Sequence, residues 1–407
     1  VAAPRGSLPR WLERREASSL RSISGAVLGP PSRYGTPSRL KTLLRSSRLR
    51  PWLTLLGLCL LVKVLVVTVT LVEFGASPDP LTVLGRQWDQ WDAQHYLYLS
   101  THGYSTGGDA RNLIAFFPLY PALVASLAAT GLPVRLATLV ISNVAGLIAS
   151  ILLYEVARVD GDERSAWRAA ALFTVFPTAF FLLVGYTEAV FCALAFGAVL
   201  CIRRQNWVAA GALGGLAAAT RLTGLALLPL LLLELYACRR SLKTIAAVVL
   251  APALLSGGFL IYLATNWLVL GNPLAFVTVQ QLHWSHRLAP PWTGFTSAIH
   301  SIFWRVPWER LTVGAGEVIG GLAAYAVTAL SWIKLRPGDA AYAAAVTVMV
   351  TFLPFWLSIP RYLLGLYPLF LLAGRVKSQW LQGVALALSF VGLITFSLAF
   401  SRGFWAF

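Results

Sequence analysis

Long, uninterrupted apolar runs restrict this chain to very few folds. Six runs are long enough to cross about 30 Å of hydrocarbon, which takes about 20 helical residues; they occupy 51–73, 135–156, 165–184, 244–266, 313–333 and 380–401. Shorter or polar-interrupted runs lie at 187–203, 207–221, 223–238, 340–357 and 362–375. Only helices and closed barrels satisfy their backbone groups in lipid, and continuous rather than alternating apolar residues exclude a barrel. The sequence therefore predicts an all-α polytopic membrane protein with about 11 transmembrane helices.

The charged residues are few and unevenly distributed. They make up 12% of the chain, against about a quarter in a soluble domain. Residues 1–50 hold ten Arg, one Lys and two Glu, a net charge of +9 out of +17 for the chain. We expect this Pro-, Ser- and Gly-rich stretch to be a partly disordered cytoplasmic segment lying against anionic headgroups rather than a nucleic-acid-binding arm. Residues 51–407 then form the transmembrane domain.

The positive-inside rule predicts the orientation of the spans. The clusters expected on the cytoplasmic side are Arg203-Arg204, Arg239-Arg240-Lys243, Lys334 with Arg336, Arg375 with Lys377, and the segment Arg158–Arg168. This orientation holds only if 113–131, which contains Pro118 and Pro121, does not cross the membrane. We therefore interpret 113–131 as a re-entrant or interfacial helix, with external loops at about 75–134 and 267–312.

The first external loop contains an unusually polar stretch, "RQWDQWDAQHYLYLSTHGYS" at 86–105. A helix over 86–100 would place Asp89, Asp92 and Tyr96 on one face. A carboxylate at a bilayer surface, with aromatic rings limiting water, has raised basicity and can act as a general base. The alternative is an interfacial helix with an aromatic belt and a solvated acidic edge.

Further polar side chains occur at the predicted external turns. They are His95, His102, Tyr104, Tyr186, Thr187, Glu188, Arg221, His283, His286, Arg287 and Arg361. Ionisable residues at membrane depth are costly and usually face an interior cavity. Their convergence on one side predicts an external-facing catalytic or binding cavity.

Four segments resemble a known family. "QWDAQHYLYLSTHGY" followed by "AFFPLYPAL" is similar to the signature of the GPI mannosyltransferase II (PIG-V) family and its bacterial relatives. "LFTVFPTAFFLLVGYTEAVF" at 172–191, "ATRLTGL" at 219–225 and "IPRYLLGLYPLFLLAG" at 359–374 are similar to it too. The resemblance implies a C-type glycosyltransferase fold with the catalytic acid in the first external loop. It also implies inverting transfer of mannose from a polyprenyl-phosphate-mannose donor to a lipid-linked or glycan acceptor.

The resemblance also suggests roles for single residues. The family's Trp-Asp falls on Trp91-Asp92, so Asp92 is the candidate base, while Asp89 belongs to an extra Trp-Asp just before it. Arginine suits bidentate contact with phosphate, which makes Arg361, Arg221 and Arg287 candidates for the lipid phosphate; for Arg361 and Arg287 the alternative is interfacial anchoring. The other candidate substrate-binding residues are His95, Tyr96, His102, Tyr104, Tyr186, Glu188, His283, His286 and Tyr362.

We expect no cofactor and no metal. His283 and His286 with the two carboxylates could bind a divalent ion. However, Asp89 and Asp92 are separated by two residues and do not form a tight acidic pair, and a monophosphate donor has less need of a cation. The expected partners are a polyprenyl-phosphate sugar, a glycan or glycolipid acceptor and membrane lipids, without nucleic acid.

Two other functions and two locations stay open. The first alternative function is a transporter or flippase of lipid-linked sugars, although the two halves show no internal repeat. The second is a non-catalytic subunit of a glycosylation complex. An Arg to Lys ratio of 28 to 5 favours a bacterial protein and therefore a bacterial cell membrane. For a eukaryotic protein, the expected location is the endoplasmic reticulum membrane.

Overall fold

The computed structural model describes residues 50–75, 79–238 and 245–407, and every regular element among them is helical. The predicted all-α class is confirmed. The predicted basic segment at the N-terminus and the cluster Arg239-Arg240-Lys243 lie outside the described residues.

The α-helices in chain order are α1 (Arg50–Phe74), α2 (Pro80–Trp88), α3 (Asp92–His102), α4 (Leu119–Ala128), α5 (Val134–Asp160), α6 (Glu163–Thr174), α7 (Glu188–Arg203), α8 (Trp207–Thr220), α9 (Leu227–Ala237), α10 (Ile245–Leu270), α11 (Ala275–His283), α12 (Pro291–Trp304), α13 (Pro307–Glu309), α14 (Gly316–Lys334), α15 (Pro337–Thr351), α16 (Ile359–Tyr362), α17 (Tyr367–Gly374) and α18 (Gln379–Ser401). Short 3₁₀ turns occupy Asp109–Ala115, Ala179–Leu182, Leu222–Ala226 and Leu363–Gly365, and one π turn occupies Arg310–Ala315.

Five helices among the described residues are long and apolar enough to cross a membrane. They are Pro51–Phe74, Val134–Asp160, Ala247–Leu270, Pro307–Lys334 and Gln379–Ser401. The other six predicted spans contain shorter or broken helices. The run 165–184, for example, is α6 followed by the turn at Ala179–Leu182. Apolar composition marks a segment as buried, but irregular backbone is tolerated at membrane depth where protein surrounds it.

The segment that was predicted not to cross is sharply bent. The turn Asp109–Ala115 and helix α4 meet at 113°, and Pro118 stands directly before α4. A bend of this size occurs in a re-entrant loop and also in a broken span, so the non-crossing interpretation stays a prediction.

Glycines bring α8 and α10 into close contact. A Cβ atom on Gly211 would collide with the backbone of Ala251, and one on Gly215 would collide with the carbonyl of Leu254. Gly258 in turn faces the backbone of Gly215. Small residues spaced four apart let two helix backbones approach in a membrane. The packing of α8 against α10 supports the end of α8, and Arg221 is the next residue in the chain.

Helix α7 joins two groups of charges. Its last residue, Arg203, has a fully buried side chain, and the Nε atom lies 2.9 Å from Asp160 Oδ2. Arg203 also pairs with Asp339, and Arg336 lies 2.8 Å from Asp160. Arg203 is therefore a neutralised interior charge and not a solvated loop charge. Glu188, the first residue of α7, lies roughly 22 Å away along the helix at 1.5 Å per residue.

The predicted topology can be tested by single-cysteine labelling with a membrane-impermeant maleimide. Thr106 and Ser285 are both exposed, so Thr106→Cys and Ser285→Cys are expected to react in intact cells. Arg164→Cys, in the predicted cytoplasmic segment, should react only after permeabilisation. Protection of both loop cysteines in intact cells would contradict the external assignment.

Candidate active site

The polar stretch in the first loop is not one helix. Helix α2 ends at Trp88, and Asp92 is the first residue of α3. Trp91 between them has φ of 53°, a conformation that costs a non-glycine residue roughly 1–3 kcal/mol; its ring packs edge-on to Trp405 at 5.1 Å. The prediction of a continuous helix over 86–100 is therefore wrong, and Asp89 does not share a helix face with Asp92.

The two aspartates consequently have different partners. Asp89 forms an ion pair with Arg135 of α5, whose side chain is 59% exposed. Its backbone N–H donates a hydrogen bond to the carbonyl of Gly85 at the end of α2, and its own carbonyl accepts one from Gln94 Nε2. Burial raises the pKa of Asp89, and the contact with Arg135 opposes this shift. These contacts give Asp89 a structural role at the junction of α2 and α3.

Asp92 instead contacts residues from the far end of the chain. Its Oδ2 atom lies 3.1 Å from Arg361 Nη1. Arg361 Nε lies 3.2 Å from Glu188 Oε1, and the same Glu188 oxygen pairs with Arg221. Arg221 Nη1 also donates to Thr187 Oγ1 over 2.9 Å. We call Asp92, Glu188, Arg221 and Arg361 the ion cluster.

The ion cluster is balanced in formal charge and buried on one side. The side chain of Glu188 is 4% exposed and that of Arg361 is 9% exposed, whereas Asp92 is 25% exposed. Asp92 is thus the member most open to a substrate. Asp92 is also the first residue of α3, where a negative charge is favourable to the helix dipole.

Aromatic rings surround the two arginines. The Arg361 guanidinium carbon lies 5.3 Å from the ring centre of Phe181 and 5.5 Å from that of Tyr186. The Arg221 guanidinium carbon lies 4.7 Å from the ring of Tyr362. These distances are within the range of cation–π attraction. The rings also exclude water, which strengthens the electrostatic interactions inside the cluster.

Tyr96 and Tyr186 connect the first loop to the aromatic rings around the arginines. Tyr186 is buried and donates a hydrogen bond to the carbonyl of Gln90 over 3.0 Å. Tyr96 is one turn beyond Asp92 and packs against Tyr186 and Tyr120. Burial raises the pKa of Tyr96 well above its usual value, so this phenol remains neutral. Both tyrosines position the start of α3.

Sequence reasoning missed the side chains that hold the backbone before Glu188. The carbonyl of Leu182 accepts a hydrogen bond from Lys63 Nζ over 3.0 Å, and the carbonyl of Leu183 accepts one from Asn143 Nδ2 over 3.0 Å. These groups satisfy carbonyls that a continuous helix would have paired. A lysine inside the first apolar run was a signal for this role, because intramembrane charges rarely lack a function.

The second loop brings one predicted histidine close to Asp92. His286 is partly buried, with Nδ1 2.8 Å from Gln280 Oε1 and its ring 5.5 Å from Phe355. Burial lowers the pKa of His286, and the Asp92 carboxylate opposes this shift. His283 and Arg287 are exposed and make no ion pair among the described residues.

The remaining predicted site residues have different surroundings. The ring of His95 packs on Phe116 at 5.1 Å. Tyr104 donates a hydrogen bond to the carbonyl of Phe116 over 2.8 Å. His102 is exposed at the far end of α3, stacked on Tyr98. The structure thus brings His95 and Tyr104 together around Phe116 and leaves His102 apart from the ion cluster.

A cavity opens beside the buried face of the ion cluster. It is small, and its lining includes Glu188, Arg221, Arg361 and Tyr362. Among the described residues, no group of three or more His, Cys, Asp or Glu side chains is arranged to hold a metal ion. Metal independence stays a prediction.

Part of the chain matches a family model. Residues 82–276 match the family described as mannosyltransferase (PIG-V). The GPI alpha-1,6-mannosyltransferase 2 of Rattus norvegicus is 32% identical over 149 residues, which cover 33% of this chain and 29% of that protein. The corresponding protein of Cricetulus griseus is 34% identical over the same length. The matched stretch is thus less than a third of the length of these relatives.

Two solved structures are similar to the fold at low sequence identity. ArnT from Cupriavidus metallidurans bound to undecaprenyl phosphate has a TM-score of 0.49 at 17% identity, covering 82% of this chain and 63% of that chain. The Archaeoglobus fulgidus oligosaccharyltransferase has a TM-score of 0.42 at 12% identity, covering 87% and 55%. The family match includes Asp92, Glu188 and Arg221, three of the four members of the ion cluster. Residues 82–276 are therefore the part of this chain that is similar to the mannosyltransferase (PIG-V) family.

Proposed function

We propose that the protein is a membrane glycosyltransferase of the C-type fold that transfers mannose from a polyprenyl-phosphate-mannose donor to a lipid-linked or glycan acceptor. The observation that carries the proposal is the position of Asp92, a partly exposed carboxylate held by Arg361 at the open edge of a buried ion cluster. The mannose donor is inferred from the family match of residues 82–276 and from the names of the relatives.

In the proposed reaction Asp92 is the general base. An acceptor hydroxyl oxygen forms a bond to the anomeric carbon of mannose, and its proton passes to Asp92. The bond from that carbon to the phosphate oxygen breaks on the opposite face, so the configuration inverts. Its electron pair leaves with the polyprenyl phosphate. A base placed in this way typically contributes about 10²–10⁴ in rate.

The charge balance of the ion cluster suits this step. Two carboxylates offset two guanidinium groups in the resting state. When Asp92 takes the proton, the ion cluster gains one positive charge, and the leaving phosphate gains one negative charge at the same time. Arg361, released from Asp92, is the arginine placed to stabilise that phosphate. We propose that Arg221 keeps Glu188 in place and that His286 and Arg287 approach the donor from the second loop.

The proposal is tested with purified protein and radiolabelled polyprenyl-phosphate sugars. We expect consumption of the mannose donor in the presence of acceptor, and we expect the rate to be unchanged by EDTA. A matched glucose donor serves as the control for sugar specificity. Loss of the rate in EDTA would contradict metal independence, and binding without consumption of any donor would favour a transporter.

A further inference from the structure

A buried carboxylate outside the ion cluster holds the segment that carries Arg361. Glu317 lies near the start of α14, within the span Pro307–Lys334, and is 0% exposed. Its Oε1 atom accepts a hydrogen bond from the backbone N–H of Ser358 over 2.5 Å, and Oε2 accepts one from Ile359 over 2.8 Å. Glu317 forms no ion pair with a basic side chain in the described part of the chain.

The backbone at this point needs such a support. Ser358 has φ of 68°, in the left-handed region that is unfavourable for a residue with a Cβ atom. The next turn, Ile359–Tyr362, presents Arg361 to Asp92. A buried carboxylate is costly unless its oxygens are satisfied, so the two N–H groups and Glu317 stabilise each other.

Other contacts hold the same turn as well. Thr178 Oγ1 donates a hydrogen bond to the carbonyl of Pro360 over 3.0 Å. A Cβ atom on Gly320, one turn beyond Glu317, would lie 3.1 Å from the ring of Pro360. The span and the turn therefore pack without room for a shift, and Glu317 supplies the polar part of that contact.

We propose that Glu317 is a positioning residue for the transfer reaction, and this inference rests on the proposed function. Glu317 holds the N–H groups of Ser358 and Ile359 so that the guanidinium of Arg361 stays between Asp92 and Glu188. It acts through Arg361 and does not touch substrate. A misplacement of a reacting group by about 1 Å can cost 10²-fold in rate.

A double-mutant cycle tests this role. Glu317→Gln retains the size of the side chain but replaces one acceptor oxygen with an NH₂ group facing a backbone N–H. We expect its turnover at saturating donor to fall by about 10- to 100-fold. In an Arg361→Lys background the same change should cost less than about 3-fold, because residues that act as a unit are not additive. If the losses in turnover of the two single variants multiply in the double variant, the proposal is overturned.

Hydrogen exchange provides a readout that does not depend on activity. Amides in peptides covering 352–362 should exchange faster in Glu317→Gln than in the wild type, while Glu155→Gln, a buried glutamate at another ion pair, should leave them unchanged. If Glu317→Gln does not fold, Glu317→Asp carries the same test with the carboxylate one methylene shorter. Unchanged exchange at Ser358 and Ile359 would overturn the role of Glu317. If Glu317→Gln exchanges faster but the wild type transfers no sugar, the contact is supported and only the proposed function is refuted.

Discussion

Asp92→Asn is expected to lower turnover by about 10²–10⁴, the usual contribution of a general base. Asparagine preserves the size of the side chain, and its Oδ1 atom can still accept the hydrogen bond from Arg361 that is 3.1 Å long in the wild type. It cannot take a proton from the acceptor hydroxyl. Folding and donor binding should therefore survive, and the loss should appear in turnover at saturating donor, with thermal stability measured alongside.

Asp89→Asn is the matched control, because it makes the same chemical change three residues earlier. The partner of Asp89 is the largely exposed Arg135, and exposed ion pairs contribute about 0–1 kcal/mol. We therefore expect Asp89→Asn to have a small effect on stability and a much smaller effect on turnover than Asp92→Asn has. An inactive Asp89→Asn with an active Asp92→Asn would shift the family motif to the first Trp-Asp. Normal turnover of both variants would contradict base catalysis by either aspartate and favour the transporter alternative.

Arg361→Lys is expected to weaken donor binding by about 1–3 kcal/mol, the range for charge-assisted hydrogen bonds. Lysine keeps the positive charge but loses the planar fork. A single ammonium group is poorly suited to replace a guanidinium that lies 3.1 Å from Asp92 and 3.2 Å from Glu188. Turnover should fall as well, because the leaving phosphate loses its preorganised donor. Equilibrium binding of the radiolabelled donor and initial rates measure the two effects separately.

Arg336→Lys is the control for Arg361→Lys. Arg336 is also an ion-paired arginine, but it contacts Asp160, the last residue of α5, which pairs with Arg203 at the end of α7 remote from Glu188. Its donor affinity should equal that of the wild type. Unchanged donor binding and turnover in a folded Arg361→Lys protein would contradict the phosphate role and leave Arg361 as an anchoring residue.

The pairing of Asp92 with Arg361 shows where sequence reasoning stopped. Both residues were candidates from their positions beside apolar runs, because a charge there is costly without a purpose. They are 269 residues apart in the chain, and no local spacing indicates that they meet. The assignment of Asp89 and Asp92 to one helix face failed for the same reason. Helical spacing applies only while the helix continues, and α2 ends at Trp88.

The pattern of apolar runs and rare charges is enough to predict the helical class and the set of charged candidates, because hydrocarbon excludes unpaired backbone and isolated charges. The tertiary structure decided which apolar runs became full spans, since surrounding protein can satisfy a broken helix as Lys63 does at Leu182. It also gives Asp89 and Asp92 different partners and places the backbone N–H groups of Ser358 and Ile359 on Glu317. These pairings depend on how distant segments pack, and electrostatic energy depends on the distance in space rather than along the chain.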